Sequence, residues 1–324
     1  MKIINTGGCE FIGSNFIKYL LKKTNYKILN IDKQTYAGIN DNLDFKLPKK
    51  RYTFIKLDIN NKKIIKLLES FKADALINFA AESHVDRSIT SAKNFIYSNI
   101  LGVYNLLEAS KEYSHKKKNF IFFQISTDEV YGSLKKNEAS FKETNKFFPN
   151  SPYSSSKASA DLLVRSYNKT YNLRTLITNC SNNYGPRQDF EKLIPKIIYN
   201  ALKNKKIPIY GNGLQVRDWI NVNDHCEAIF KVLKKGKFGE NYNIGGDFEV
   251  KNIDLTRIIL KKIEKKINKK LENLITYVKD RPAHDTRYAI SNKKIQSKIK
   301  WKAKVKFTKG IDETIDWYIS KLKL

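Results

Sequence analysis

The stretch Lys2-Ile3-Ile4-Asn5-Thr6-Gly7-Gly8-Cys9-Glu10-Phe11-Ile12-Gly13-Ser14 decides how this chain folds. Lys2 to Asn5 read as a short β-strand, and from Phe11 to Lys23 the apolar residues recur at helical spacing. A strand that enters a helix through a glycine-rich turn is the setting a dinucleotide-binding fingerprint requires. Gly7 would make the tight turn, and Gly13 would let helix and sheet pack closely. The helix N-terminus, carrying Phe11 and Ile12, would face the pyrophosphate. The next strand, Tyr26 to Ile31, ends in Asp32-Lys33, nineteen residues after Gly13. An acidic residue there accepts a ribose hydroxyl and disfavours a 2′-phosphate, so NAD is expected rather than NADP.

Position 10 departs from the pattern. Glycine belongs where the backbone approaches the pyrophosphate, and Glu10 brings bulk and a negative charge instead. Either its side chain swings clear into solvent or cofactor affinity suffers.

Downstream, strand Tyr52 to Leu57 ends at Asp58-Ile59, an expected adenine contact. Helix Lys62 to Phe71 leads to strand Ala75 to Phe79, followed by Ala80-Ala81-Glu82-Ser83-His84-Val85-Asp86-Arg87-Ser88. A lone histidine beside a strand end, here His84, is expected to be a structural donor. A long helix from about Ala92 to Tyr113 contains Ser98-Asn99. This β-α-β-α order predicts an α/β fold of Rossmann type, a doubly wound and mostly parallel sheet.

Asn119 to Phe123 read as a buried strand, after which come Gln124-Ile125-Ser126-Thr127-Asp128-Glu129-Val130-Tyr131-Gly132. A hydroxyl and two adjacent carboxylates thus fall where the strand should end, and open α/β sheets bind ligands outside the carboxyl ends of their strands. Ser151-Pro152 make a helix start. Tyr153 and Lys157 then lie four apart on one helix face. An ammonium beside a phenol favours the phenolate, so Lys157 is expected to lower the pKa of Tyr153 and make it a usable base.

Beyond strand Arg174 to Asn179 the chain changes character. Ser181-Asn182-Asn183-Tyr184-Gly185-Pro186 crosses into Glu191-Lys192-Leu193-Ile194-Pro195, and later polar stretches centre on Arg217, Tyr242 to Gly246 and Asp280 to Tyr288. A smaller C-terminal lobe over the strand ends, bringing Lys192, Arg217 and Arg281 to an anionic substrate, accounts for them. The expected division is an NAD-binding domain of residues 1–178 plus about 220–245, and a substrate lobe of about 179–219 and 246–324.

The whole chain of 324 residues is 41% hydrophobic, and no apolar run approaches the roughly 20 residues of a membrane span. A strand at the very start leaves no room for a signal peptide. Cys9, Cys180 and Cys226 have neither paired nor metal-binding spacing, which suits a reducing compartment; the cytoplasm is the expected location and no metal is expected. The formal net charge is +29, yet nine arginines stand against fifty-two scattered lysines. No nucleic-acid-binding signature accompanies them, so solvated faces are expected rather than a nucleic-acid footprint.

At these motifs the chain resembles the extended short-chain dehydrogenases/reductases, within the NAD-dependent epimerase/dehydratase group, and most closely the dTDP-glucose 4,6-dehydratase family. The resemblance runs almost end to end, and its most specific part is Thr127-Asp128-Glu129 followed by Tyr153-x-x-x-Lys157. It implies that Tyr153, hydrogen-bonded through Thr127, takes the C4 hydroxyl proton of a nucleotide sugar as hydride passes to NAD. Glu129 would then remove the C5 proton while protonated Asp128 donates to the departing C6 hydroxyl. It further implies cofactor contacts from Gly7, Phe11, Ile12, Gly13, Asp32, Lys33, Asp58, Ile59, Ala80, Ala81, Ser98, Asn99, Tyr153 and Lys157. Ser83, Thr127, Asn182, Glu191, Lys192, Leu193, Arg217, Asn252, Arg281, His284 and Tyr288 would contact the sugar nucleotide. A homodimer built on helices Ala92 to Tyr113 and Tyr153 to Tyr171 is expected by the same resemblance. Glu10 departs from the family pattern, as do Ala283, where glycine is usual, and Asp189-Phe190, where an aromatic-proline pair is usual. Two alternatives stay open: a related nucleotide-sugar 4-epimerase or UDP-sugar dehydratase, and a non-catalytic binding protein weakened at Glu10. An epimerase has no need of Asp128 and Glu129.

Overall fold

The structure is a computed structural model that describes residues 1–322 except 36, 37, 39, 44 and 46. Those five positions of the expected NAD-binding domain, and residues 323–324 of the expected lobe, lie outside the described residues.

The chain begins β1 (Lys2–Thr6), α1 (Phe11–Lys23), β2 (Lys27–Asp32), β3 (Tyr52–Lys56), α2 (Ile64–Phe71) and β4 (Ala75–Asn78). After α3 (Val85–Thr90), helix α4 (Lys93–Phe95) runs through a π-helical turn, Ile96–Leu101, into α5 (Gly102–Lys116). Next come β5 (Ile121–Thr127), α6 (Pro152–Tyr171) and β6 (Thr175–Cys180). The remainder holds β7 (Asn182–Tyr184), α7 (Leu193–Leu202), β8 (Ile207–Tyr210), β9 (Val216–Asn221), α8 (Val222–Lys235) and β10 (Glu240–Ile244). It closes with β11 (Glu249–Lys251), α9 (Asn252–Ile267), β12 (Ile275–Val278) and α10 (Phe307–Lys321).

Seven parallel strands form the central sheet in the order β3-β2-β1-β4-β5-β6-β10. Strands β4, β5 and β6 are buried along their whole length, as strands covered on both faces must be. On one face Phe16 and Leu20 of α1 meet Val222, Ile229 and Val232 of α8, with Trp301 in the same core. On the other, Leu68 of α2, Leu106 of α5 and Val164 of α6 pack together. A third core joins α7, α9 and α10 through Ile197, Ile259 and Ile315 beside the sheet. Among the described residues no helix is long and apolar enough to cross a membrane.

Two starts and one interior turn fix the site. Ser151 and Ser154 cap α6 reciprocally: the Ser154 N–H donates to Ser151 Oγ at 3.1 Å, and the Ser151 N–H to Ser154 Oγ at 3.0 Å. Helix α1 starts at Glu10, whose φ of −89° and ψ of 174° are extended. The π turn carries Asn99 inward, where it is 1% exposed.

Candidate active site

The dinucleotide turn is closed by contact. Gly7 has φ +70°, and a Cβ on it would stand 2.4 Å from the Ala80 nitrogen. A Cβ on Gly13 would lie 2.3 Å from the Gly7 carbonyl oxygen. Only hydrogen at both positions lets α1 sit on the turn with its N-terminus open to a ligand, which fits a dinucleotide pyrophosphate. At the end of β2 the Asp32 carboxylate accepts from the Cys9 N–H (2.8 Å) and the Gln34 N–H (2.7 Å). Burial raises its pKa, and those two donors oppose the rise. Lys33 pairs with Asp58 at 2.8 Å, and Ile59 beside it is buried in the core. Asp32, Lys33, Asp58 and Ile59 do not line the cavity that holds Thr127 and Tyr153, which suits the adenosine end of a dinucleotide.

Between the sheet and the C-terminal elements lies a cavity of about 350 Å³. Phe11, Ile12, Gly13 and Ala81 line it from the cofactor side, with Thr127, Glu129, Tyr153 and Lys157 at its centre. Ser83, Asn182, Glu191, Lys192, Leu193, Arg217, Asn252, Arg281, His284 and Tyr288 form the far wall. Asp128 is buried beneath rather than in that wall, at 2% exposure.

Strand β5 runs four residues past the expected end, so Thr127 is its last residue and Asp128 and Glu129 open a 3₁₀ turn, Asp128–Tyr131. Thr127 Oγ1 donates to Asp128 Oδ1 at 3.3 Å and accepts the Glu129 N–H at 3.3 Å. Burial drives the Asp128 carboxyl well above its ordinary value, and the charges of Glu129 and Asp218 add to it. Burial raises Glu129 too, but Arg281, Arg217 and Lys192 pull it back. Both carboxyls are thus raised, Asp128 the more strongly, while the cations facing Glu129 restrain it and leave it the readier of the two to ionise.

Tyr153 departs from expectation. Burial pushes its phenol well above the ordinary value, Glu129 adds to that, and the Thr127 hydroxyl hydrogen-bonds it and opposes the shift. The Lys157 ammonium donates to the Ile125 carbonyl at 2.8 Å and is itself depressed by burial, with Asp161 its largest opposing charge. Helical spacing puts the two side chains on one face but leaves the ammonium free to choose a carbonyl.

Ser98 and Asn99, like Asp32 and Asp58, do not line this cavity. Asn99 donates to the Glu82 carbonyl (3.0 Å) and Ser156 Oγ (2.9 Å) and accepts the Glu82 N–H (2.9 Å). It ties the loop after β4 to α6 from the wide turn that carries it inward. His84 lines the cavity and caps α3 by accepting the Arg87 N–H rather than by donating, and burial holds its pKa at about 4.

On the substrate side Lys192 donates to the Ser83 carbonyl at 2.6 Å. Arg217 is held by the Val216 and Asp285 carbonyls at 2.8 and 2.9 Å and stacks over Tyr288 at 4.3 Å. Sequence reasoning missed how Arg281 is aimed: it pairs with Asp86 at 3.0 Å, and Tyr210 donates to the same carboxylate at 2.9 Å. The partners are 195 residues apart and carry no local signal. Arg187, Gln188 and Trp219 were missed as lining residues as well.

The family model described as GDP-mannose 4,6 dehydratase matches residues 4–314. A dTDP-glucose 4,6-dehydratase of Haemophilus influenzae is 45% identical across 98% of both chains. The chain belongs to the dTDP-glucose 4,6-dehydratase family. A solved dTDP-glucose 4,6-dehydratase from Bacillus anthracis in complex with NAD is 43% identical, with TM-score 0.91 over 100% of this chain and 98% of that one. Another from Streptomyces venezuelae, with NAD and TYD bound, is 38% identical, with TM-score 0.93 over 100% and 98%. Within the dTDP-glucose 4,6-dehydratase family, then, the cavity with Thr127, Glu129, Tyr153 and Lys157 at its centre is the candidate catalytic centre.

Proposed function

We propose that this protein is an NAD-dependent dTDP-glucose 4,6-dehydratase, a hydro-lyase that forms dTDP-4-keto-6-deoxyglucose. The observation that carries this is the Thr127-Asp128-Glu129 turn beside Tyr153, in which one carboxyl is buried and strongly raised and its neighbour faces the cavity and three cations that restrain its rise. Gly7, Phe11, Ile12, Gly13 and Asp32 would hold NAD, which when bound accepts hydride from C4 and returns it to C6, so that it is regenerated. Tyr153 takes the C4 hydroxyl proton, helped by Thr127. Glu129 takes the C5 proton, made acidic by the new C4 ketone. Asp128 gives its proton to the C6 oxygen, which leaves as water. Lys192, Arg217 and Arg281 neutralise the diphosphate. A simple epimerisation would need no acid-base pair at 128 and 129.

The dTDP-glucose reading is tested by incubating the protein with dTDP-glucose and NAD in deuterated water. A dehydrated 4-keto product with deuterium at C5 and no net accumulation of reduced cofactor is expected. A 4-epimer that has lost no water would overturn the reading.

We also read the division of labour as two lobes, with β10 and α8 serving the nucleotide-binding half and α7, α9 and α10 the substrate half. A homodimer is proposed on the exposed apolar residues Ile96, Leu101 and Tyr104 of the long helix, with Leu162 and Tyr171 of α6. Three buried free cysteines suit the cytoplasm.

A further inference from the structure

We infer that Glu10 makes dinucleotide binding proton-linked in this protein: NAD is taken up with the Glu10 carboxyl protonated and loses affinity as that carboxyl ionises. The inference rests on the NAD-dependent reading above.

Glu10 does not swing away from the site. It lines the cavity next to Phe11, Ile12 and Gly13, at the N-cap of α1, and its side chain makes no capping hydrogen bond. The backbone there is extended, so glycine is not needed for conformation and the substitution strains nothing. What it changes is charge and volume at the helix N-terminus that a pyrophosphate approaches. An ionised carboxylate there repels phosphate oxygens, whereas a carboxylic acid can donate a hydrogen bond to one.

The surroundings favour the acid. Asp32 at the end of β2 and Glu82 in the loop after β4 are the negative groups acting on Glu10. Lys192 at the start of α7 and Lys157 on α6 are the opposing positive ones. Desolvation of this carboxyl, to which Asp32 and Glu82 add, outweighs the two lysines and raises its pKa well above the ordinary value. A pyrophosphate brings further negative charge and raises it again, so binding draws a proton onto Glu10 by linkage. His84, held at about 4, stays neutral through the neutral range and does not compete.

The test titrates NAD into the purified full chain, stripped of bound dinucleotide, between pH 5.5 and 8.5. Calorimetry in two buffers of different ionisation enthalpy counts protons. The wild-type Kd is expected to rise with pH, by up to about tenfold per unit as one proton becomes linked. Glu10→Gln, a permanent mimic of the acid, should bind more tightly than wild type at pH 8 with a flattened slope. Glu10→Gly, which restores the open turn, should flatten it as well. A flat wild-type profile, or variants that keep the wild-type slope, would overturn the inference alone. Binding of NAD by none of the three would bring down the NAD-dependent reading with it.

Discussion

The Lys157 ammonium reaches the Ile125 carbonyl at 2.8 Å, so the lysine of α6 is anchored to the strand that ends in Thr127. This contact places Tyr153 against the catalytic turn as much as any direct effect on the phenol. Lys157→Met is expected to leave the fold intact and lower kcat by about 10²–10⁴-fold, the range for losing a general acid-base element. Lys157→Arg should not restore it, because a planar fork cannot replace one short ammonium contact. Steady-state kinetics beside NAD titration checks this: an unchanged kcat would show that the anchor has no catalytic role.

Asp128 ties activity to stability. Its folded pKa lies well above the usual carboxyl value, so its contribution is complete below about pH 4, the unfolded value. That contribution is lost as pH rises through the folded value. At neutral pH the buried acid is therefore a liability. Asp128→Asn should raise stability at pH 7.5 by about 0.5–2 kcal/mol, with the gain shrinking toward pH 4. Dehydration should slow sharply in the same variant, while C5 exchange through Glu129 persists. Thermal melts across pH give the stability, and deuterium uptake separates the two carboxyls. A wild-type-like Tm at every pH would refute the burial argument.

Ala283 occupies the left-handed region, with φ +50°, where the family usually has glycine. A Cβ there costs about 1 kcal/mol even after glycine's greater freedom in the unfolded chain is counted. Ala283→Gly should raise the urea midpoint accordingly with little change in kcat. A lower midpoint would mean that the Cβ packs more than it strains.

The proposed dimer makes its own demand. Leu101→Glu with Tyr104→Glu puts two charges on the exposed apolar stripe and should give a monomer by sedimentation. Persistence of the dimer would place the interface elsewhere.

Fold and site are readable in the sequence where local chemistry speaks. Helix α1 spans the very residues whose apolar spacing marks it, and Ser151-Pro152 begins α6 because cap and first-turn proline are local signals. The end of β5 reads too early because Gln124 and Ser126 are polar, yet Gln124 is buried and accepts from Asn78 at 2.9 Å. Satisfied polar groups look like a strand end in sequence. Tyr153 escapes its spacing for a related reason: an interval of four fixes a face, not the direction of a flexible ammonium. Asp86 with Arg281, and the packing that presents Arg187 to the cavity, depend on tertiary approach and leave no local trace.

The π turn at Ile96–Leu101 has a consequence for how the chain can vary. It holds one residue more than α-helical winding would, and on it Asn99 points inward while Ile96 and Leu101 point out. Deleting a single residue there would restore regular α-helical winding, leaving the segments on either side near their present phase while the bulge itself disappears. Asn99 would lose the loop after β4 as the turn that aims it vanished, and Ile96 and Leu101 on the same turn would be re-aimed with it. Exchange of one apolar residue for another on the outer face of this turn is tolerable, but a change in its length disturbs the site and the proposed subunit contact in one step.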